Sequence, residues 1–294
     1  MTAEKAPAQV ADKQPRRGEL PLPLAACLIA PLVLLLGWAF FLPIAKLLLT
    51  SVTEPTLNLN NYARLVTEPL YLRVILRTMW IAFLATAMAL LLGYPVAALM
   101  ARPGSRITKI ATMCVMVPLW TSVLVRSYAW IILLERNGII NNTLKNWGVL
   151  SEPLTMLYTE GAVLMAMTHV LLPFMILPIY SSLASLSQDL PRAAANLGAG
   201  PVRTFILVTL PLSLPGVFAG CLIVFVMALG FYITPALVGG PRTLMIATLI
   251  GQQAMELLDW PFAGAISFVL LALSLGITIA FKRLLRLDKV VAHD

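Results

Sequence analysis

The sequence predicts an all-α integral membrane protein with six transmembrane helices. Three observations predict it. The 294-residue chain is 60% hydrophobic and only 12% charged, with a mean hydropathy of +0.89. A soluble domain carries about twice that share of charge. Six apolar segments reach the roughly 20 residues that a helix needs to cross a bilayer. The lysines and arginines between those segments favour one side. The net charge of +8 therefore reads as loops facing an anionic leaflet, not as a nucleic-acid surface.

The first segment, Leu22 to Leu49, follows Lys13, Arg16 and Arg17. Its apolar run is too long for a signal-peptide core and no small-x-small cleavage site follows, so an uncleaved anchor is expected. The second segment is Thr78 to Met100 and the third is Ile110 to Leu134. The fourth, Gly161 to Leu183, contains Pro173 and Pro178, which are expected to kink it and free carbonyls. The fifth, Leu214 to Val238, is expected to break around Gly230, Phe231, Tyr232 and Pro235. Thr243 to Asp259 is too short in apolar length to span, and an outer-side helix lying against the bundle fits it. Asp259 and Pro261 look like the start of the sixth helix, Phe262 to Phe281. Residues 1–20, polar and with two prolines, read as a loose cytoplasmic tail. Residues 21–285 form the membrane domain and 286–294 a short cytoplasmic tail.

With the N-terminus inside, the cytoplasmic segments hold 13 of the 21 lysines and arginines. The opposite side holds 7, and Arg126 lies within a span. The bias places both termini in the cytoplasm, together with the connection between the fourth and fifth spans.

That connection, about 187–211, contains "DLPRAAANLGAGPVRTFILVTLP". Asp189 can cap a helix with Pro191 in its first turn. Gly198 and Gly200 can end it, Pro201 can start a second short helix, and Pro211 is expected to end that one. Ala194 and Gly198, four apart, would share a face almost without side chains, which another backbone can approach closely. Physics leaves two readings open: a helix that docks in a groove, or a plain tight loop.

The spans carry little chemistry. No Asp or Glu lies in the interior of any span, which argues against a proton-driven carrier. There is no phosphate-binding P-loop, no GxSxG elbow and no zinc motif, so neither catalytic nor metal-ligating residues are expected. Cys27, Cys114 and Cys221 sit apart in apolar runs and read as packing residues. His169 reads as a hydrogen-bonded packing residue; Arg126 is expected to bond carbonyls or snorkel outward. Trp120 and Trp130 read as part of the interfacial aromatic belt. Tyr128, Phe231 and Tyr232 fit either that belt or a passage whose aromatic faces attract ammonium groups.

The connection resembles the Glu-Ala-Ala loop of ABC-importer permeases. Ala193, Ala194, Gly198, Val208, Leu210 and Pro211 stand at the family's spacing, while Arg192 replaces the acid. The stretches "VPLWTSVLVRSYAWIILL", "HVLLPFMILPIYSSL" and "FYITPALVGGPRTLMIATLI" resemble the permeases of spermidine/putrescine importers, over about Tyr62 to Arg283. The resemblance implies a type I ABC-importer permease fold in the bacterial inner membrane, with the loop inserted into an ATPase subunit. It implies a homologous second permease, two ATPase subunits that carry Mg-ATP, and a periplasmic binding protein, with no cofactor in this chain. The implied cargo is a polyamine; near relatives carry opines and other small solutes. From a different class, a self-sufficient secondary transporter is the rival.

Overall fold

An apolar segment in lipid must satisfy its backbone polar groups internally, and here it does so by helices. The structure, a computed structural model, describes residues 22–53, 57–102, 104, 106–187 and 189–291; for 22–23 and 284–291 it describes the backbone alone. The expected N-terminal tail, 1–20, and the end of the expected C-terminal tail, 292–294, lie outside the described residues. Among the described residues there is no strand.

The chain divides into two units, one up to Leu47 and one from Leu48. α1 (Leu22–Leu36) leads through a π-turn (Gly37–Phe41) into α2 (Leu42–Thr53), a candidate span of 30 residues from Leu24 to Thr53. The π-turn ends two residues before Pro43. A helical proline crowds the carbonyl four residues back and cannot donate to it, and a wide turn relieves both problems.

The second unit takes in the end of α2 and continues with α3 (Asn60–Thr67) and α4 (Pro69–Met100). α5 (Arg106–Trp120), α6 (Val123–Leu134) and α7 (Ile139–Asn146) follow, then α8 (Glu160–Ala184). Next come α9 (Asp189–Asn196), α10 (Pro201–Thr204), a π-turn (Phe205–Thr209) and α11 (Leu210–Leu229). α12 (Ile233–Val238), α13 (Ile246–Gly251), a third π-turn (Gln252–Glu256) and α14 (Trp260–Val291) complete it.

α4, α8 and α11 form the core. Along α8, Met167, Leu171, Met175, Ile176 and Ile179 are fully buried. α11 meets α8 through Gly216 and Gly220, four residues apart. A β-carbon on Gly216 would stand 2.5 Å from Ser182 Cβ and 2.6 Å from the Pro178 carbonyl. One on Gly220 would stand 2.8 Å from Met175 Sδ. Lipid offers helices no hydrophobic drive to associate, so this close backbone approach supplies the packing. Tyr94 Oη and Ser213 Oγ, 2.9 Å apart, join α4 to α11.

The sequence expectations meet the structure unevenly. Among the described residues, five helices are individually long and apolar enough to span, and a sixth span exists only if a bent pair is counted as one. That pair is the expected third span, bent by 105° between Trp120 and Val123. Ser122 stands at the restart: its Oγ accepts from Leu124 N at 3.2 Å and caps α6. The fourth span holds Pro173 and Pro178 inside one 25-residue helix. The fifth begins earlier than expected: Pro211 does not end a helix, because the π-turn at Phe205–Thr209 absorbs it. Leu210 N donates to Phe205 O there, and the helical run is Pro201–Leu229. The expected break after Leu229 is present. The segment between the fifth and sixth spans is helical, and α14 continues to Val291, through most of what was expected to be a tail. Asp259 does start α14, its Oδ1 accepting from Phe262 N at 3.2 Å.

Candidate functional site

Two regions at opposite ends of α11 carry the candidate residues. At its N-terminal end, α9 opens with Ser187 Oγ accepting from Asp189 N at 3.2 Å, so Ser187 supplies the bond expected of Asp189. The helix closes on Gly198. Gly198 N donates to Ala195 O at 2.9 Å and Ala199 N to Ala194 O at 3.0 Å, with φ of +84° at Gly198. These bonds are those of a Schellman cap, whose left-handed residue favours glycine. α9 has already ended at Asn196, so Gly198 does not extend a helical face from Ala194, and the expected shared face is replaced by a cap. Ala193 is exposed and Ala194 half-buried. Arg192 Nη1 lies 3.7 Å from Asp189 Oδ1, one turn back on the same exposed helix. Val208 lies in the π-turn and Leu210 and Pro211 in the first turn of α11. Leu197, Val202, Ile206 and Leu207 leave an apolar surface at this end, Leu197 being 89% exposed.

At the other end of α11, Gly230 and Phe231 interrupt the helix and Tyr232 precedes α12. Phe231 packs partly buried against the core, while Tyr232 is 42% exposed and Tyr128 is 50% exposed. α12 is held to α6 by Ser127 Oγ and Thr234 Oγ1, both buried and 2.9 Å apart. α13 is held to α4 by Ile246 N donating to Thr78 Oγ1 at 2.9 Å. A cavity of about 210 Å³ lies at this end, lined by Tyr232, Pro235, Gly239, Thr248, Gln252 and Glu256 among others. Tyr232 thus borders a cavity; Phe231 and Tyr128 do not line it.

His169 Nδ1 accepts from Trp130 Nε1 at 3.2 Å, the packing role expected of it, and also a use of Trp130 beyond an interfacial belt. Arg126 Nη1 donates to the Val170 carbonyl at 3.5 Å, the carbonyl bonding expected of it, while its buried Nε has no partner. Sequence reasoning missed Glu256 and Gln252 as cavity residues. It also missed the Gly216-x-x-x-Gly220 packing motif, which is plainly written in the chain as "GVFAG".

Residues 89–287 match the family described as "Binding-protein-dependent transport system inner membrane component". The chain belongs to this family. It is therefore a multi-pass inner-membrane permease component of a transport complex. It is 37% identical over 250 residues to the spermidine/putrescine transport system permease protein PotB of Salmonella typhimurium (strain SL1344), covering 81% of this chain and 87% of that one. It is 36% identical to PotB of Escherichia coli (strain K12), covering 81% and 90%. PotB of Haemophilus influenzae is 35% identical over 259 residues, covering 84% and 90%. Among solved structures, a chain of a bacterial ABC transporter involved in the import of alginate superposes with a TM-score of 0.70. That match has 19% identity and covers 90% of this chain and 95% of that one, and it establishes the type I importer permease fold.

Proposed function

We propose that this chain is the permease subunit of an ATP-driven ABC importer, forming with a second permease the inner-membrane passage for spermidine/putrescine-like polyamines. One observation carries the reading. The similarity to the PotB permeases extends over 250 residues at 36–37% identity, a length that leaves little of the chain unmatched. The absence of a carboxylate from the span interiors supports an energy source outside this chain.

In this reading the 187–211 connection docks on a cytoplasmic ATPase, two copies of which bind and hydrolyse Mg-ATP, and a periplasmic binding protein delivers cargo at the opposite end. Arg192, Ala193, Ala194, Gly198, Val208, Leu210 and Pro211 form the coupling loop; Tyr128, Phe231 and Tyr232 border the cargo path. Both termini are cytoplasmic. α11 is the mechanical link, since its first turn holds Leu210 and Pro211 of the coupling loop and it ends at the break beside Tyr232. Proteoliposomes containing the whole complex should take up labelled spermidine only with ATP inside and loaded binding protein outside. Uptake that persists without ATP overturns this reading in favour of a secondary transporter.

A further inference from the structure

The cavity beside Tyr232 has an uneven charge. Of the residues lining it, only Glu256 is ionisable at neutral pH, and no lysine or arginine faces in. Three other acids of the described residues have arginine partners. Glu68 and Asp259 both pair with Arg64, at 3.2 and 3.3 Å, and Glu160 pairs with Arg77 at 2.9 Å. Among the described residues Glu256 has no ion pair.

The local backbone places three kinds of ligand group together. Gln252 and Glu256 open and close the third π-turn, with Leu257 N donating to Gln252 O at 3.0 Å. The wide turn keeps residues four apart on one wall, and both line the cavity. Tyr232 lies against the same wall. A β-carbon on Gly251 would stand 2.6 Å from Tyr232 Cε2, so glycine at 251 lets the ring close on the backbone next to Gln252. Carboxylate and amide oxygen both favour a cation, and an aromatic ring lies beside them. A hard metal ion wants six or more oxygens, which one carboxylate and one amide do not supply. The cavity, about 210 Å³, holds several times the roughly 30 Å³ share of one water, enough for an ammonium head and part of its alkyl chain.

We propose that Glu256, with Gln252 and the Tyr232 ring, binds an ammonium group of the cargo as it enters the permease. This rests on the polyamine reading above and names a residue that recognises the cargo.

The test is spermidine uptake by proteoliposomes containing the complete importer, with loaded binding protein as the varied component. Glu256→Gln should lower the maximal uptake rate about tenfold, the scale of a lost charge-assisted bond. The concentration of binding protein giving half-maximal rate, and unstimulated ATP hydrolysis, should be unchanged. Glu256→Asp should restore most of the rate, and Glu256→Lys should lower it further. If Glu256→Gln transports like the unaltered complex, the assignment is overturned while the polyamine reading stands. A shift only in the half-maximal binding-protein concentration also overturns it, placing Glu256 in docking instead. If the unaltered complex carries no spermidine with ATP present, the cargo reading itself falls, and this assignment with it.

Discussion

Gly198 is fixed by local structure, as the left-handed residue of the cap that closes α9. Its φ of +84° is open to glycine and costs an ordinary L-residue about 1–2 kcal/mol. A β-carbon there would meet nothing within 4 Å, so crowding inside this chain is not the constraint. Gly198→Ala should therefore reduce coupling through the loop's shape, and Gly198→Asn should reduce it less, because Asn tolerates the left-handed region. Ala194 has no such requirement, so Ala194→Trp tests the docking surface itself. It should abolish most stimulation of ATP hydrolysis by loaded binding protein while the complex still assembles. Arg192→Ala should be mild, because the Asp189 pair is exposed and 3.7 Å long, and such pairs contribute about 0–1 kcal/mol. The reverse pattern, with Arg192→Ala severe and Ala194→Trp silent, would show that charge and not surface relief governs this loop. At the other end, replacing both Phe231 and Tyr232 by Ala should lower spermidine uptake with assembly intact. Unchanged kinetics would reassign both to packing.

At the scale of elements, α11 does two jobs along one helix. Its middle packs on α8 by glycine, and its ends lead to the 187–211 connection and to the cavity. The two glycines predict a stability effect separable from function. Gly216→Leu should destabilise the purified complex by about 1–3 kcal/mol or more, the range for overpacking, since the Pro178 carbonyl and Ser182 Cβ occupy the space. Gly276→Ala, where a β-carbon meets nothing, should be neutral in the same thermal-unfolding measurement. Equal loss at both positions would mean that helix approach at Gly216 is not limiting. The π-turns have two origins. The turns at Gly37–Phe41 and Phe205–Thr209 each end two residues before a proline, Pro43 and Pro211. The turn at Gln252–Glu256 has none so near, and it instead brings two polar side chains to a cavity.

At the scale of the whole molecule, the testable property is its orientation. The bias of 13 basic residues to 7 predicts that Leu197 faces the cytoplasm and Asn142 the opposite side. Both are exposed in the chain. On a background lacking Cys27, Cys114 and Cys221, Asn142→Cys should react with an impermeant thiol reagent added to intact cells. Leu197→Cys should react only after permeabilisation. Labelling of the Leu197 site from outside would invert the topology and exchange the proposed coupling and cargo ends.

The sequence by itself determined the helical membrane class, because an 18- to 25-residue apolar run in lipid has no other way to satisfy its backbone. It also determined where the fifth span breaks, since Gly230 stands at the break and Pro235 follows in the first turn of the next helix. The loop with Ala194 and Gly198 was legible as a compact turn, and its spacing carried the family resemblance. Only the tertiary structure decided the rest. Proline has the same chemistry at 173, 178 and 211, yet none of these ends a helix, because surrounding packing or a π-turn accommodates the lost bond. Ser122, an unremarked residue in an apolar run, caps α6 where the third span bends, its hydroxyl giving the backbone a local bond. Glu256 is one carboxylate among several in the sequence. What separates it is that it lines a cavity together with Tyr232, which stands at the break after α11, and that neighbourhood exists only once the helices have met.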